Sequence, residues 1–450
     1  MIMDKDIILD EEKTNTETNP AVGAVANEED KNEVADKVNE KKPSSNKKLF
    51  AGIGSGLILL VIIISVVVTT VMMNQKKAEE NASIIDDSSE EEGEEEEVPA
   101  ENTALEAGSV TVEVGGRAIT YSGAYVVDGV KATIVSGEYA SAVDNQAVFL
   151  VVNGGSLTIN GDVTISKTGS EGFQGRGDEY SFYGLNSAVV VVGEGSSVTI
   201  KGAKITTDVS GANAVVAAGG GKATIKNVEI ATSQDGSRGL HATFAGTIIA
   251  EDTTIATKGG SSASLATDRG EGTVTANRMK LSTEGAGSPL IYSTGEIKVT
   301  NSEGQATGAQ IAVVEGKNSI TLEDCEFSAN GNGNRNGVDN AGIMIYQSMS
   351  GDAGVGTGSF TADDCKFTVL DSSTVYETTP LFFVTNTTAT IKLTNVEADF
   401  YDEGYFLLAT GTEEWGRSGS NGGKVTLETS NLKATNTNLG VDDISDVTGI

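Results

Sequence analysis

The sequence contains few of the residue types that build metal centres and disulfide frameworks. Two cysteines, Cys325 and Cys365, and one histidine, His241, occur in 450 residues. So few thiols exclude both a disulfide framework and the paired-cysteine pattern of a zinc site. Aromatic residues are also scarce, at 5% of the chain, with a single tryptophan, Trp415.

Basic residues and prolines are under-represented as well. Lys and Arg total 31 against 64 Asp and Glu, which gives a net charge of −33. A polyanion of this size should not bind nucleic acid or anionic lipid through its surface field, so cations and basic partners are its natural counterparts. The 5 prolines stand beside 55 glycines and many Val, Ile, Thr, Ser and Asn residues. This composition predicts a β-rich chain with many tight turns.

The first part of the chain reads as a membrane anchor. Residues 1–48 are polar and charged, which predicts a disordered tail. Residues 49–73, LFAGIGSGLILLVIIISVVVTTVMM, are uncharged and long enough for one transmembrane helix. The preceding head is too long for a cleaved signal peptide. Four lysines before the span place the N-terminus in the cytoplasm by the positive-inside rule: Lys41, Lys42, Lys47 and Lys48.

An acidic stretch separates this span from the rest of the chain. Residues 74–107 include the run SSEEEGEEEE, whose like charges repel and keep a chain extended. We therefore expect an extracellular stalk over 74–107 and an ectodomain over 108–450. The expected location is the cell membrane, crossed once, with the C-terminal part outside the cell.

A repeat dominates residues 108–450. SLTINGDVTISKTG begins at 156, SVTIKGAKITTDVSG at 197 and KATIKNVEIATSQDG at 222, and the commonest spacing is about 22–26 residues. The segments at 109 and 131 fit this repeat only loosely. Each unit holds three short apolar strands and no helical periodicity. This pattern predicts an all-β parallel β-helix, in which like residues stack about 4.8 Å apart and stacking supplies the core.

Several residue types recur at fixed places in the repeat. Asn and Asp bond their own backbone in turns, so one such column predicts a turn ladder: Asp162, Asn227, Asp252, Asp324, Asp364 and Asn431. A column of metal ligands is the alternative reading. Cys325 and Cys365 follow this ladder on neighbouring coils and are expected in the core. A disulfide between them stays open, because stacking puts their Cβ atoms at about the strand spacing, a little long for the bond.

The coil pattern resembles that of right-handed parallel β-helix, or pectin-lyase-like, proteins. Phrases such as GSRGLHATFAGTIIAEDTTIATKGG, SPLIYSTGEI and FFVTNTTATI also resemble a group of uncharacterised, adhesin-like bacterial surface proteins. The resemblance covers about residues 108–440. It implies the fold and a surface location, but no agreed reaction.

The same fold hosts polysaccharide lyases and glycoside hydrolases, so catalysis has to be considered. Lyases of this type need clustered acidic calcium ligands and a basic residue, and hydrolases need carboxylates about 5–10 Å apart. None of the polygalacturonase signatures occurs in this sequence. The pattern favours a protein without catalytic activity and indicates no cofactor, although calcium stays open.

The one histidine lies in GSRGLHATFAGT, three residues after Arg238. Stacking should bring Asp268 and Arg269 of the next coil close to Arg238 and His241, as a catalytic cluster or as a ligand contact. The alternative is that Asp268 and Arg269 form a plain surface ion pair in a turn. Aligning Ala242 with Ala266 makes His241 point outward in an apolar column: Val216, Leu265, Tyr292, Val313, Phe383 and Leu408. Outward apolar stripes are either covered by a loop or used for binding.

Insertions supply aromatic side chains that suit either sugar stacking or packing onto this stripe. The predicted binding residues are therefore these: Arg238, His241, Asp268, Arg269, Tyr292, Phe383, Tyr180 and Trp415. Three functions stay open: a surface adhesin that binds glycans or proteins, a polysaccharide lyase or glycoside hydrolase, and a passive envelope spacer. The last residues, VDDISDVTGI, show no polar capping coil, which leaves end-to-end self-association open.

Overall fold

The computed structural model describes residues 101–170, 177–331, 341–348, 353–369, 379–411 and 422–449. The predicted tail over 1–48, the predicted transmembrane helix over 49–73 and the predicted stalk up to residue 100 lie outside these ranges. Within the described part, no helix is long and apolar enough to cross a membrane.

The described residues are almost entirely β-structure, arranged in two long sheets. The only helix they form is short, α1 (Gly177–Tyr183). Sheet A contains β1 (Gly108–Val114), β2 (Arg117–Asp128), β4 (Ala147–Val152), β6 (Val189–Val192), β8 (Val215–Ala218), β11 (Leu240–Thr243), β14 (Leu265–Asp268), β17 (Ile291–Ser293), β20 (Ala312–Glu315), β23 (Ile343–Tyr346), β26 (Phe382–Thr385), β29 (Leu407–Thr410) and β32 (Leu439–Val441).

Sheet B contains two rows of strands, and in each coil the chain bends sharply between the two rows at a position that we call the corner. Strands β3 (Lys131–Ser141), β5 (Ser156–Thr168) and β7 (Ser197–Asp208) run through the corner and belong to both rows. The first row continues with β9 (Lys222–Lys226), β12 (Thr247–Glu251), β15 (Thr273–Asn277), β18 (Glu296–Thr300), β21 (Ser319–Glu323), β24 (Thr357–Asp363), β27 (Thr387–Thr394), β30 (Gly423–Ser430) and β33 (Asp446–Thr448). The second row continues with β10 (Glu229–Thr232), β13 (Thr254–Thr257), β16 (Lys280–Thr283), β19 (Glu303–Ala306), β22 (Glu326–Ala329), β25 (Lys366–Val369), β28 (Glu397–Asp399) and β31 (Lys433–Ala434).

Successive coils stack in parallel and in register. In sheet A, Leu240 pairs with Val215 on the preceding coil and with Leu265 on the following one. These side chains and their neighbours in sheet B form one continuous buried core of mainly aliphatic residues. A single coil could not bury this face alone, so stacking supplies the stability. The predicted all-β fold of long parallel sheets is confirmed, and the arrangement fits a β-helix solenoid.

The corner of sheet B is made by single residues with left-handed backbone angles. Asn227, Asp252, Asp324 and Asp364 have φ angles of 54°, 51°, 52° and 51°. Asn and Asp tolerate this region better than other non-glycine residues, which confirms the predicted turn ladder. The prediction is wrong for Asp162. This residue lies inside the continuous strand β5, where Gly161 adopts the positive φ angle instead.

The segment at residue 109, which fits the repeat only loosely, is not a coil. Strands β1 and β2 form an antiparallel hairpin, and the second half of β2 then pairs in parallel with β4. Hairpin residues Val114, Ile119 and Tyr121 pack with outward side chains of β4, β6 and β8. The hairpin therefore covers the outer face of sheet A over its first coils.

Candidate functional site

His241 lies on β11, and its side chain is on the outer face of sheet A. Its neighbours Leu240 and Ala242 belong to the solenoid core, and side chains alternate along a strand, so His241 points to the other face. The register pairs His241 with Val216 and Ala266. The predicted outward direction is therefore correct, but the predicted neighbour Leu265 is wrong. Leu265 pairs with Leu240 and points into the core, because this coil is one residue longer than the alignment assumed.

Three of the predicted residues meet around one carboxylate oxygen. Arg238 Nη2 lies 3.0 Å from Asp268 Oδ2, and His241 Nε2 lies 3.4 Å from the same atom. The His241 side chain is fully buried, and the Asp268 and Arg238 side chains are 3% and 11% exposed. This pair joins Arg238 to Asp268 and is almost fully buried, unlike the surface pair of Asp268 with Arg269 that the sequence also allowed. It is a buried charge pair with an adjoining imidazole.

Helix α1 and the residues after it cover this cluster. Arg238 Nη1 donates to Ser181 Oγ at 3.2 Å, and Thr243 Oγ1 donates to the Phe182 carbonyl at 2.8 Å. The Arg269 guanidinium lies 4.4 Å from the centre of the Phe182 ring, a cation–π distance. The insertion that precedes β6 therefore packs onto the stripe, as one of the two readings of its aromatic residues expected. Tyr180, predicted as a binding residue, is buried in the same helix.

A second polar group continues the cluster along sheet A. The Tyr346 hydroxyl donates to Glu315 Oε2 at 2.9 Å, and the Tyr292 hydroxyl and Ser348 Oγ also donate to the Glu315 carboxylate. Glu315 is 1% exposed, and Asp268 is 2% exposed. Both carboxylates lie on the outer face, two coils apart, which is about 9.6 Å at the strand spacing. Sequence reasoning found Tyr292 but missed Glu315, Tyr346 and Ser348.

Burial sets the protonation of these groups. Desolvation and the nearby Arg238 guanidinium lower the pKa of His241 to about 4, although Asp268 acts in the opposite sense. Desolvation raises the pKa of Glu315, against the effect of its three hydroxyl donors. The pKa values of Tyr292 and Tyr346 lie well above 10, chiefly through desolvation. At neutral pH the imidazole is therefore uncharged and both tyrosines remain hydrogen-bond donors.

The remaining predicted residues fall in different places. Phe383 is buried on the outer face of sheet A, in a cluster with Val313, Met344 and Tyr346. Trp415 lies outside the described residues. Cys325 and Cys365 are buried free thiols in the corner column of sheet B. No group of three or more His, Cys, Asp or Glu side chains in the described ranges is arranged to hold a metal ion.

An open groove follows the corner of sheet B on the other side of the solenoid. This corner groove encloses about 720 Å³ across five coils, from Arg278 to Asn395. A second groove of about 520 Å³ lies against the second row of strands and shares Lys280, Glu303 and Glu326 with it. The rims repeat one charged or amide side chain per coil, and the floor includes Met279, Cys325 and Cys365. No sequence motif marked this groove, because it arises from the corner geometry rather than from particular residues.

Comparison with known proteins adds no family to these observations. No protein-family model, no curated protein and no solved structure matches the chain.

Proposed function

We propose that this protein is a membrane-anchored surface protein that acts as a binding platform, in the manner of an adhesin. In this proposal the solenoid is a right-handed, pectin-lyase-like β-helix, held outside the cell by the apolar span over 49–73 and the acidic stalk over 74–107. The repeat and the apolar run in the sequence support it.

The corner groove is the observation that carries the binding function. Its walls present polar side chains at every coil, about 4.8 Å apart, so a ligand with a short repeat can make the same contact several times. The outer face of sheet A offers no comparable opening around Asp268 and Glu315, because both are almost completely buried. Repeated weak contacts give avidity without any single strong site.

Charge restricts the class of ligand. The chain carries a net charge of −33, so an anionic polymer would be repelled at long range. Rim charges such as Lys280 and Glu303 already pair with each other, at 3.1 Å. A neutral, hydroxyl-rich chain can both donate to and accept from such a rim. We therefore propose an extended neutral glycan as the ligand.

Titration calorimetry of the full-length chain in detergent micelles with neutral oligosaccharides of increasing length tests this proposal. Affinity should rise with ligand length until the ligand spans the five coils. Replacing the rim pair, Lys280→Ala with Glu303→Ala, should weaken binding about tenfold, which is about 1.4 kcal/mol. Both side chains are more than 60% exposed, so the fold should tolerate the change.

A matched control is another exposed ion pair of sheet B, Lys298 and Glu323, 3.6 Å apart and outside the groove lining. Lys298→Ala with Glu323→Ala should leave binding unchanged. Equal losses in the two double variants, or an affinity independent of ligand length, would refute the groove as the binding site. Absence of binding to any neutral glycan would favour a passive spacer.

A polysaccharide lyase or glycoside hydrolase is the second candidate. One observation favours it: two carboxylates, Asp268 and Glu315, share one sheet face with Arg238 and His241. Incubating the full chain with polyuronates and neutral glycans, with and without calcium, tests it directly. Product formation that Asp268→Asn abolishes would replace the binding proposal.

A further inference from the structure

The two cysteines of the chain lie side by side in the corner column of sheet B. Glu323 pairs with Asp363 before them and Glu326 pairs with Lys366 after them, so Cys325 and Cys365 are in register on adjacent coils. The Lys366 amide donates to the Cys325 carbonyl at 2.8 Å. Both residues are 3% exposed, yet both line the floor of the corner groove.

Their spacing suits a bridging ion better than a disulfide bond. In-register parallel strands hold equivalent backbone atoms about 4.8 Å apart, and the two thiol groups are in hydrogen-bonding contact with each other. A disulfide requires Cβ atoms about 3.8 Å apart and sulfur atoms about 2.0 Å apart, so forming one would pull two stacked coils together. Two metal–thiolate bonds of about 2.3 Å, placed end to end, span about 4.6 Å. A two-coordinate ion between the sulfur atoms therefore fits with little movement of the coils.

The surroundings of the thiols restrict the kind of ion. Cys325 Sγ donates to the Glu323 carbonyl at 3.3 Å, and Cys365 Sγ donates to the Asp363 carbonyl at 3.1 Å. These backbone contacts hold both sulfur atoms at the corner, next to the groove. The rim carries more carboxylates than basic groups, which favours entry of a cation. Thiolate ligands select soft ions, and among these the d10 monovalent ions accept two ligands in a line.

We propose that Cys325 and Cys365 form a two-thiolate site for a soft monovalent cation, represented by Cu⁺. Binding replaces the two S–H bonds by two Cu–S bonds and releases two protons to solvent, with no change in oxidation state. The bound unit carries one negative charge. This site is independent of the glycan-binding proposal, since it needs only the two stacked thiols.

The test uses Cu⁺ with the full-length chain under anaerobic conditions, in competition with a colorimetric Cu⁺ chelator. We expect one Cu⁺ per chain and an X-ray absorption spectrum with two sulfur neighbours only. Cys325→Ser or Cys365→Ser should lower the apparent affinity more than about 100-fold, since loss of even an outer partner of a metal ligand costs about 10–100-fold. Circular dichroism verifies that each variant is folded.

Two double variants keep two thiols and change only their adjacency. Glu303 pairs with Glu326, so the preceding residues Ser302 and Cys325 are in register on adjacent coils. Lys366 likewise pairs with Glu397, so Val396 is in register with Cys365 on the following coil. Cys365→Val with Ser302→Cys keeps the thiols on adjacent coils and should retain Cu⁺. Cys365→Val with Val396→Cys separates them by two coils and should lose it. Equal retention in both, no retention in the native chain, or a disulfide in chain purified without reductant would overturn the proposal.

Discussion

A buried histidine with a low pKa makes stability depend on pH. His241 is fully buried beside Arg238 and Asp268, and its pKa falls from 6.5 to about 4 on folding. The unfolded chain therefore binds a proton at a higher pH than the folded chain does. By linkage, this residue lowers stability as the pH falls from about 6.5 to about 4, and it has no effect above that window.

The first prediction concerns His241→Gln, which cannot titrate. The free energy of unfolding of the native chain, measured relative to this variant, should be constant above about pH 6.5. Below that pH the difference should decrease by about 1.4 kcal/mol per pH unit, to a total on the order of 3 kcal/mol. Urea unfolding between pH 4 and pH 8 measures this difference. A difference that does not change with pH would mean that His241 has the same pKa in the folded and unfolded chains, and would contradict the prediction.

Glu315 provides a check with the opposite sign. Its pKa is raised in the folded chain, so the folded state holds its proton to a higher pH than the unfolded state does. Its contribution to the free energy of unfolding is fully present below its pKa in the unfolded chain, about 4.3, and is lost as the pH rises through its pKa in the folded chain. Removing it by Glu315→Gln should therefore steepen the decline in stability toward acid, not flatten it.

At the scale of elements, each corner of sheet B depends on one residue in a strained backbone region. Asn227 has φ of 54° between β9 and β10 and is exposed, so little besides backbone conformation fixes its identity. Left-handed geometry is costly for residues with a Cβ atom, least so for Asn and Asp, and free for glycine.

The second prediction follows from this geometry. Asn227→Ala should destabilise the fold by about 1 kcal/mol, whereas Asn227→Gly should be close to neutral. Thr224→Ala, on the exposed face of the same coil, should change stability by less than about 0.5 kcal/mol. Thermal unfolding of the three variants tests the order. If glycine destabilised as much as alanine, the Asn227 side chain rather than its φ angle would be decisive.

The third prediction concerns Phe244, which follows β11 and contacts both α1 and the β1–β2 hairpin on the outer face of sheet A. Its ring stacks on Tyr183 at 4.8 Å between centres, and a Cβ atom on Gly115 in the hairpin turn would collide with it. Phe244→Ala should therefore increase amide hydrogen exchange in both α1 and the β1–β2 hairpin, because local protection reflects local packing. Ile249→Ala removes an exposed apolar side chain one strand later and serves as the control. Unchanged exchange in α1 would contradict the proposed contact.

The whole molecule behaves as a stack of neighbours, so damage should remain local. Phe360 is fully buried, with its ring centre 5.5 Å from that of Phe382 and 6.0 Å from that of Phe367. The fourth prediction is that Phe360→Ala costs about 3–5 kcal/mol. Hydrogen exchange should rise in β21 to β27 and stay near native levels in β6 to β10. Thr361→Ala is the matched outward control, and a uniform loss of protection would indicate one all-or-none unit.

The sequence predicts the repeating part of this molecule well and the covering parts poorly. The three-strand unit recurs along the chain, and Asn or Asp forms the corners from Asn227 to Asn431 except at Arg278, so many coils indicate the same geometry. Asp162 and Leu265 were misassigned where a glycine or an extra residue interrupts the repeat. The burial of Asp268 and Glu315 could not be predicted either. It depends in part on α1, which lies in an insertion and packs over Arg238 and Thr243.

The hairpin over sheet A constrains the order in which the chain can assemble. Strand β1 and the first half of β2 precede every coil, yet their side chains pack against β4, β6 and β8, and the hairpin turn reaches Phe244. A ribosome or a translocation pore releases the hairpin well before these partners emerge. The first segment of the solenoid must therefore wait, with Val114, Ile119 and Tyr121 uncovered, until four later coils have been delivered. During that interval the exposed apolar side chains of the hairpin are available for binding by a chaperone.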